Sequence, residues 1–174
     1  MALDGGKVLA ATHLTKALLE QLEMALDLIA RLDDEVYSGS GDGRGSIGSH
    51  LRHNLNFVEA VIDGALCGSI DYGARARDRR IETDRSHASS KVRSLMDALA
   101  RIPIHLAEAV TVTSELNPRL RLNSTLGREL EFAISHTVHH YALIRERLVQ
   151  SGIHFEPQFG VAPSTLEYWR SAGQ

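Results

Sequence analysis

The stretch ISHTVHHYALIRERL, Ile134–Leu148, sets three histidines within five positions of a leucine-rich amphipathic segment. A helix through it is predicted to start at Ser124 or Thr125, with Glu129 placed to join a capping arrangement, and to run to about Ser151, where Gly152 stops it. At about 100° per residue, His136 and His140 fall about 40° apart on one face, one turn above each other. Two neutral imidazoles so spaced can grip one divalent ion through their nitrogen lone pairs. Two ligands bind weakly, so a third donor is needed from elsewhere in the chain.

The other histidine cluster is SHLRHNLNF, which supplies His50 and His53. It lies in a second helical pattern: Ser46 precedes Ile47, Leu51, Leu55, Val58 and Ile62 at spacings of four, four, three and four. Five of the nine histidines thus fall in two helical clusters, and facing helices of a bundle bring such clusters together. Helix propensity gives histidine no reason to gather at core-edge turns. Periodicity leaves both His50 and His53 open as the third donor and places His50 nearer the centre of the apolar stripe.

Two further helices complete the pattern. One carries Leu14, Leu18, Leu22, Ala25, Leu26, Ile29 and Leu32 at helical spacing. The other is capped by Asp84 and runs through Val92, Leu95, Met96 and Leu99 to just before Pro103, where the restriction on the residue preceding proline ends it. SGSGDGRG, Ser38–Gly45, breaks the first helix from the second. Between the second and third, Gly64–Thr83 reads as a long polar connection, and between the third and fourth the β-branched run Val110–Thr113 with a turn at Asn117–Pro118 reads as a short hairpin or an extended crossover. The expected fold is all-α, a four-helix bundle with long second and third connections, in one domain spanning residues 1–174.

Composition narrows the function. With 43% hydrophobic and 24% charged residues the chain has the makings of one sizeable core. A net charge of −3 gives no general attraction to nucleic acid or to an anionic membrane, so neither is an expected partner. No apolar run reaches membrane-spanning length and the N-terminus lacks the pattern of a secretory signal, so the expected location is the cytoplasm. The single cysteine, Cys67, has no partner for an internal disulfide.

SIGSHLRH on the second helix together with SHTVHHYALI on the fourth resembles the DinB-like family, also called the YfiT-like metalloenzymes, from the first helix through the fourth. In that family apolar residues recur six and two positions before the second-helix histidine. Here these are Ile47 and Leu51, so the resemblance makes His53 the third ligand beside His136 and His140. His50 and His139 then become candidates for backing the ligands or moving protons. The resemblance implies one divalent transition metal, zinc, nickel, iron or manganese, and a homodimer. It also implies chemistry on a small-molecule substrate, with low-molecular-weight thiols such as bacillithiol or mycothiol among the candidates. The related sulfoxide synthases continue the histidine pair as HxxxHxE, whereas Ala142 stands at the glutamate position here.

Three imidazoles leave coordination positions open, as a catalytic metal requires. The expected function is a metal-dependent enzyme that activates a thiol or water for transfer or hydrolysis. The alternative is a non-catalytic metal-binding or sensing bundle stabilised by the same site. DYGARARDRRIETDR, Asp71–Arg85, reads by default as a solvated surface loop; the functional reading is a lid that clamps an anionic substrate group by guanidinium hydrogen bonds, which makes Tyr72, Arg75 and Arg77 substrate-binding candidates. Trp169 in the C-terminal FGVAPSTLEYW is a fourth, as a pocket wall, although tail aromatics also serve to seal a core.

Overall fold

In the computed structural model, residues 5–39, 45–74 and 76–173 are described. Most of the described residues are helical, and a small three-stranded sheet accompanies the helices. Helix α1 (Gly5–Arg31) buries Leu18, Leu22, Ala25 and Ile29 on one face, so the leucine periodicity read from the sequence is the face that meets the core. Leu28 is also fully buried, while Leu14 and Leu26 are only partly covered. A short helix α2 (Asp34–Ser38) follows, its first turn capped by the Asp33 carboxylate, which accepts from the Val36 amide at 2.8 Å.

Helix α3 (Ile47–Cys67) begins where Ser46 accepts the Ser49 amide at 3.0 Å. It runs further than Gly64, which was expected to open a polar connection. Gly64 is there for packing: a Cβ at that position would lie 2.1 Å from Ile70 Cγ1. The helix stops instead at Gly68, whose φ of 73° suits glycine and returns its amide to the Gly64 carbonyl. The chain then enters strand β1 (Ser69–Asp71), and after a loop come α4 (Arg80–Thr83) and α5 (Arg85–Arg101). Asp84 caps α5 by accepting from the His87 amide at 2.9 Å, as its position in the sequence suggested.

Strand β2 (Ala109–Thr113) pairs in parallel with β1 and antiparallel with β3 (Arg121–Thr125), giving the order β1-β2-β3. Of the two readings of the Val110–Thr113 region, the hairpin is therefore correct, and the parallel strand β1 joins it. The sheet is an addition to the all-α expectation. Strand β1 escaped the sequence pattern because it has three residues and buries only Ile70 between exposed neighbours.

Strand β3 passes directly into α6 (Leu126–Gln150), capped by the Thr125 hydroxyl, and Gly152 with φ 71° lies just beyond its end. Helix α3 packs on α5 and α6, and α1 packs on the other side of the same two helices. The apolar core lies between them, with Leu51, Leu55, Val58, Leu130, Ile144 and Leu148 among its buried members.

The C-terminal segment closes one side of this core. Phe159 is fully buried and stacks on Tyr141 at 4.6 Å, while Phe155 meets Phe159 edge-on and lies under the Arg31 guanidinium. Glu156 accepts from Arg31 at 2.8 Å. Helix α7 (Pro163–Ser171) follows. Among the described residues no helix is long and apolar enough to cross a membrane.

Candidate metal centre

Helices α3 and α6 pack side by side, and each presents histidines to the other. One ring nitrogen from each of His53, His136 and His140 lies within 4.8 Å of the other two. Their ring centroids are 5.2 Å (His53–His136), 4.7 Å (His53–His140) and 4.6 Å (His136–His140) apart. The one-turn spacing of His136 and His140 on α6 fixes the last distance, and the docking of α3 fixes the other two. His140 is buried, and His53 and His136 are half-buried.

This donor set fits a divalent transition metal. Imidazole nitrogens of three neutral histidines are ordinary ligands for zinc, nickel, iron or manganese, and three protein ligands leave room for an exogenous one. A histidine must be unprotonated to coordinate. Burial, followed by the neighbouring His136, His53, His50 and His139, lowers the His140 pKa from 6.5 to about 3. At neutral pH its lone pair is therefore available.

The other two histidines of the two clusters separate clearly. His50, one turn before His53 on α3, brings its Nδ1 to 3.2 Å from His140 Nδ1. His139 is exposed, its ring centroid 5.4 Å from that of His140. The ambiguity between His50 and His53 thus resolves into two positions: His53 within the close trio and His50 against one member of it.

An aromatic wall stands beside the trio. Phe57, one turn after His53, stacks on His136 with centroids 4.0 Å apart and 29° between planes. Tyr72, in the loop after β1, also stacks on Phe57, at 4.9 Å and 17°. Phe132, one turn before His136, meets Tyr72 edge-on at 5.4 Å. Glu129 is also buried, 8% exposed, and accepts from the Tyr72 hydroxyl at 2.6 Å and from the Ser124 hydroxyl at 2.6 Å. Phe57, Phe132 and the site role of Glu129 were not read from the sequence. The spacing held a signal, since Glu129, Phe132, His136 and His140 follow one another at three or four residues along α6.

The candidates in the arginine-rich segment are dispersed. Tyr72 is buried with its hydroxyl committed to Glu129, and Arg77 is exposed on the loop. Arg75 lies outside the described residues. Arg80 pairs with Asp78, which also lies 2.7 Å from His87, and the Arg80 and His87 contacts hold the Asp78 carboxyl well below the ordinary carboxylate range. Arg85 points away from the histidines: it donates to the Asp34 carboxylate at 2.6 Å and to the carbonyls of Ile29 and Leu32 at the end of α1. Trp169 is half-buried on α7; the rings packed on His136 are those of Phe57 and Phe132.

No family model matches the sequence. The chain is similar to FK506-binding protein 5 of Rhizopus delemar, with 29% identity over an alignment of 155 positions that covers 84% of this chain; it spans 37% of that relative's length.

Proposed function

We propose that the chain is a metal-dependent enzyme of the DinB-like kind, its long helices α1, α3, α5 and α6 forming the family's four-helix bundle. The observation that carries this reading is the convergence of three histidine nitrogens, from two helices, within 4.8 Å. His53, His136 and His140 would hold one divalent transition ion. Such an ion, when bound, lowers the pKa of a coordinated thiol or water and polarises an electrophile.

The protein's own groups supply the rest. His140 stays neutral through burial and keeps its lone pair for coordination. His50 Nδ1 and His140 Nδ1 meet in a contact that holds one hydrogen, so the tautomer of one ring sets that of the other. Phe57 and Phe132 exclude water from the His136 side. His139, exposed beside His140, is placed to exchange a proton with solvent. The substrate is a small molecule, a low-molecular-weight thiol in the favoured case, and the setting is the cytoplasm. The exposed Leu116, Leu120 and Leu122 between and along β2 and β3 offer apolar side chains for pairing two copies. FK506 binding, which the fungal relative's name denotes, is not extended to this chain.

The test is a screen of metal-loaded protein with thiols and electrophiles, alongside a His136→Ala variant. Turnover that disappears with His136 supports the enzyme. Stoichiometric metal in the wild type with no turnover for any pair favours a binding or sensing bundle, and equal metal in both proteins refutes the ligand assignment.

A further inference from the structure

A closed circuit of contacts runs from α6 back to α6. Glu129 accepts from the Tyr72 hydroxyl, the Tyr72 ring lies on Phe57, Phe57 lies on His136, and His136 is two turns along the helix that carries Glu129. Every member before His136 is buried: Glu129 is 8% exposed, Tyr72 4% and Phe57 3%. Phe132 packs against both Tyr72 and His136 and closes the edge of the pile. In a close-packed interior a ring held on one face by a neighbouring plane tilts only if that neighbour moves.

We propose that Tyr72 and Glu129 are positioning residues that set the plane of the His136 imidazole through Phe57. The inference rests on the metal-site reading of His53, His136 and His140. It also explains a costly arrangement. A buried carboxylate is tolerated only when hydrogen-bonded, and Glu129 is held by two hydroxyl donors at 2.6 Å each, one of them supplied from a loop. Burial and the bond to Glu129 raise the Tyr72 phenol well above its usual range, so it remains a donor at any physiological pH. A tyrosine ring alone would fill the space; the hydroxyl fixes where the ring lies along the pile. A ligand ring that can rock pays an ordering cost when it coordinates, and removing groups that orient ligands typically weakens metal affinity by about 10-fold or more.

Cobalt(II) tests this, because its visible absorption reports coordination geometry as well as occupancy. Wild-type protein is titrated with cobalt beside Tyr72→Phe, Glu129→Gln, Glu129→Ala and, as a control for loss of a buried hydroxyl, Tyr37→Phe. Tyr37 is fully buried and donates to the Ile81 carbonyl at 2.6 Å, outside the ring pile. Tyr72→Phe is expected to raise the cobalt Kd about 10-fold and to shift the absorption bands. Glu129→Ala should match it, Glu129→Gln should fall between because its amide oxygen still accepts, and Tyr37→Phe should leave both readouts unchanged. A folded Tyr72→Phe protein with wild-type Kd and bands overturns the positioning role while leaving the metal site standing. Wild-type protein that binds no cobalt overturns the metal-site reading itself, and this inference with it. Should Tyr72→Phe fail to fold, Glu129→Gln decides: wild-type Kd and bands there overturn the proposal.

Discussion

His50 Nδ1 and His140 Nδ1 face each other at 3.2 Å across the α3–α6 interface. Two imidazole nitrogens at that distance share one hydrogen, so the tautomer of either ring dictates that of the other. Backing groups of this kind orient a ligand and raise its basicity. His50→Ala is expected to weaken zinc binding about 10-fold while leaving one site per chain. Competition with a chromophoric chelator measures this, and an unchanged Kd assigns His50 to packing alone.

The trio itself predicts a steeper loss. His53→Ala, His136→Ala and His140→Ala each leave two imidazoles, and a two-nitrogen site holds zinc too weakly to survive dialysis. Metal analysis of protein purified without a nickel column is expected to give about one ion per wild-type chain and well under a tenth in each variant. Retention by His53→Ala, with loss in a His50→Ala protein, would exchange the roles of the two α3 histidines.

Acid should destabilise the metal-free protein through His140. Its pKa is about 3 in the folded chain and about 6.5 when unfolded. Above pH 6.5 the ring is neutral in both states and contributes nothing to the pH dependence. As the pH falls from 6.5 toward 3, the unfolded chain binds a proton that the folded chain refuses, so stability declines throughout that window. The decline is expected to reach on the order of a few kcal/mol by pH 4. Urea denaturation at pH 7, 5.5 and 4 measures it, and a His140→Gln variant should show a flatter profile. An identical profile would place the titration on other groups.

Gly64→Ala separates helix propensity from packing. Inside a helix, alanine should gain about 1 kcal/mol over glycine. At this position its methyl would sit 2.1 Å from Ile70 Cγ1 and 2.9 Å from Cδ1, where α3 meets the side chain of β1. The expected outcome is a net loss of about 1–3 kcal/mol, because the clash must be relieved by moving β1. A raised denaturation midpoint would show that Ile70 yields freely.

Arg85 is expected to matter for folding and not for metal. It joins α5 to α2 through Asp34 and to the end of α1 through the Ile29 and Leu32 carbonyls. Arg85→Ala should cost about 1–2 kcal/mol in chemical denaturation and leave zinc stoichiometry intact. Loss of the ion in a folded variant would instead connect this residue to the histidines.

The parts of the site that were legible in the sequence are those governed by local geometry. The His136–His140 spacing needs only the pitch of α6, and a second histidine cluster in another helical pattern named the facing surface. Periodicity placed His50 nearer the centre of the apolar stripe than His53, whereas the docking of α3 against α6 brings His53 into the trio with His136 and His140. Glu129 read as a capping residue. Its actual partners, Tyr72 and Ser124, come from 57 and 5 residues away, and no local pattern announces the first. Strand β1 was hidden for a similar reason, since three residues with one buried side chain acquire strand identity only by pairing with β2. Gly64 misled because a glycine in an apolar helix looks the same whether it breaks the helix or admits a neighbour.

The sheet connects directly to both histidine helices: Gly68 alone separates α3 from β1, and β3 runs without interruption into α6. Its parallel register joins Ser69 to Thr111, across a long stretch of chain that includes α4 and α5. Contacts of such separation require a large loop to close first, so they are expected to form late on the folding route. His53 and His136 are further apart still in the sequence, so the trio is expected to be completed near the end of that route. Bound zinc should then lengthen the lifetime of the folded chain by slowing its unfolding, while the refolding rate stays the same with or without the ion.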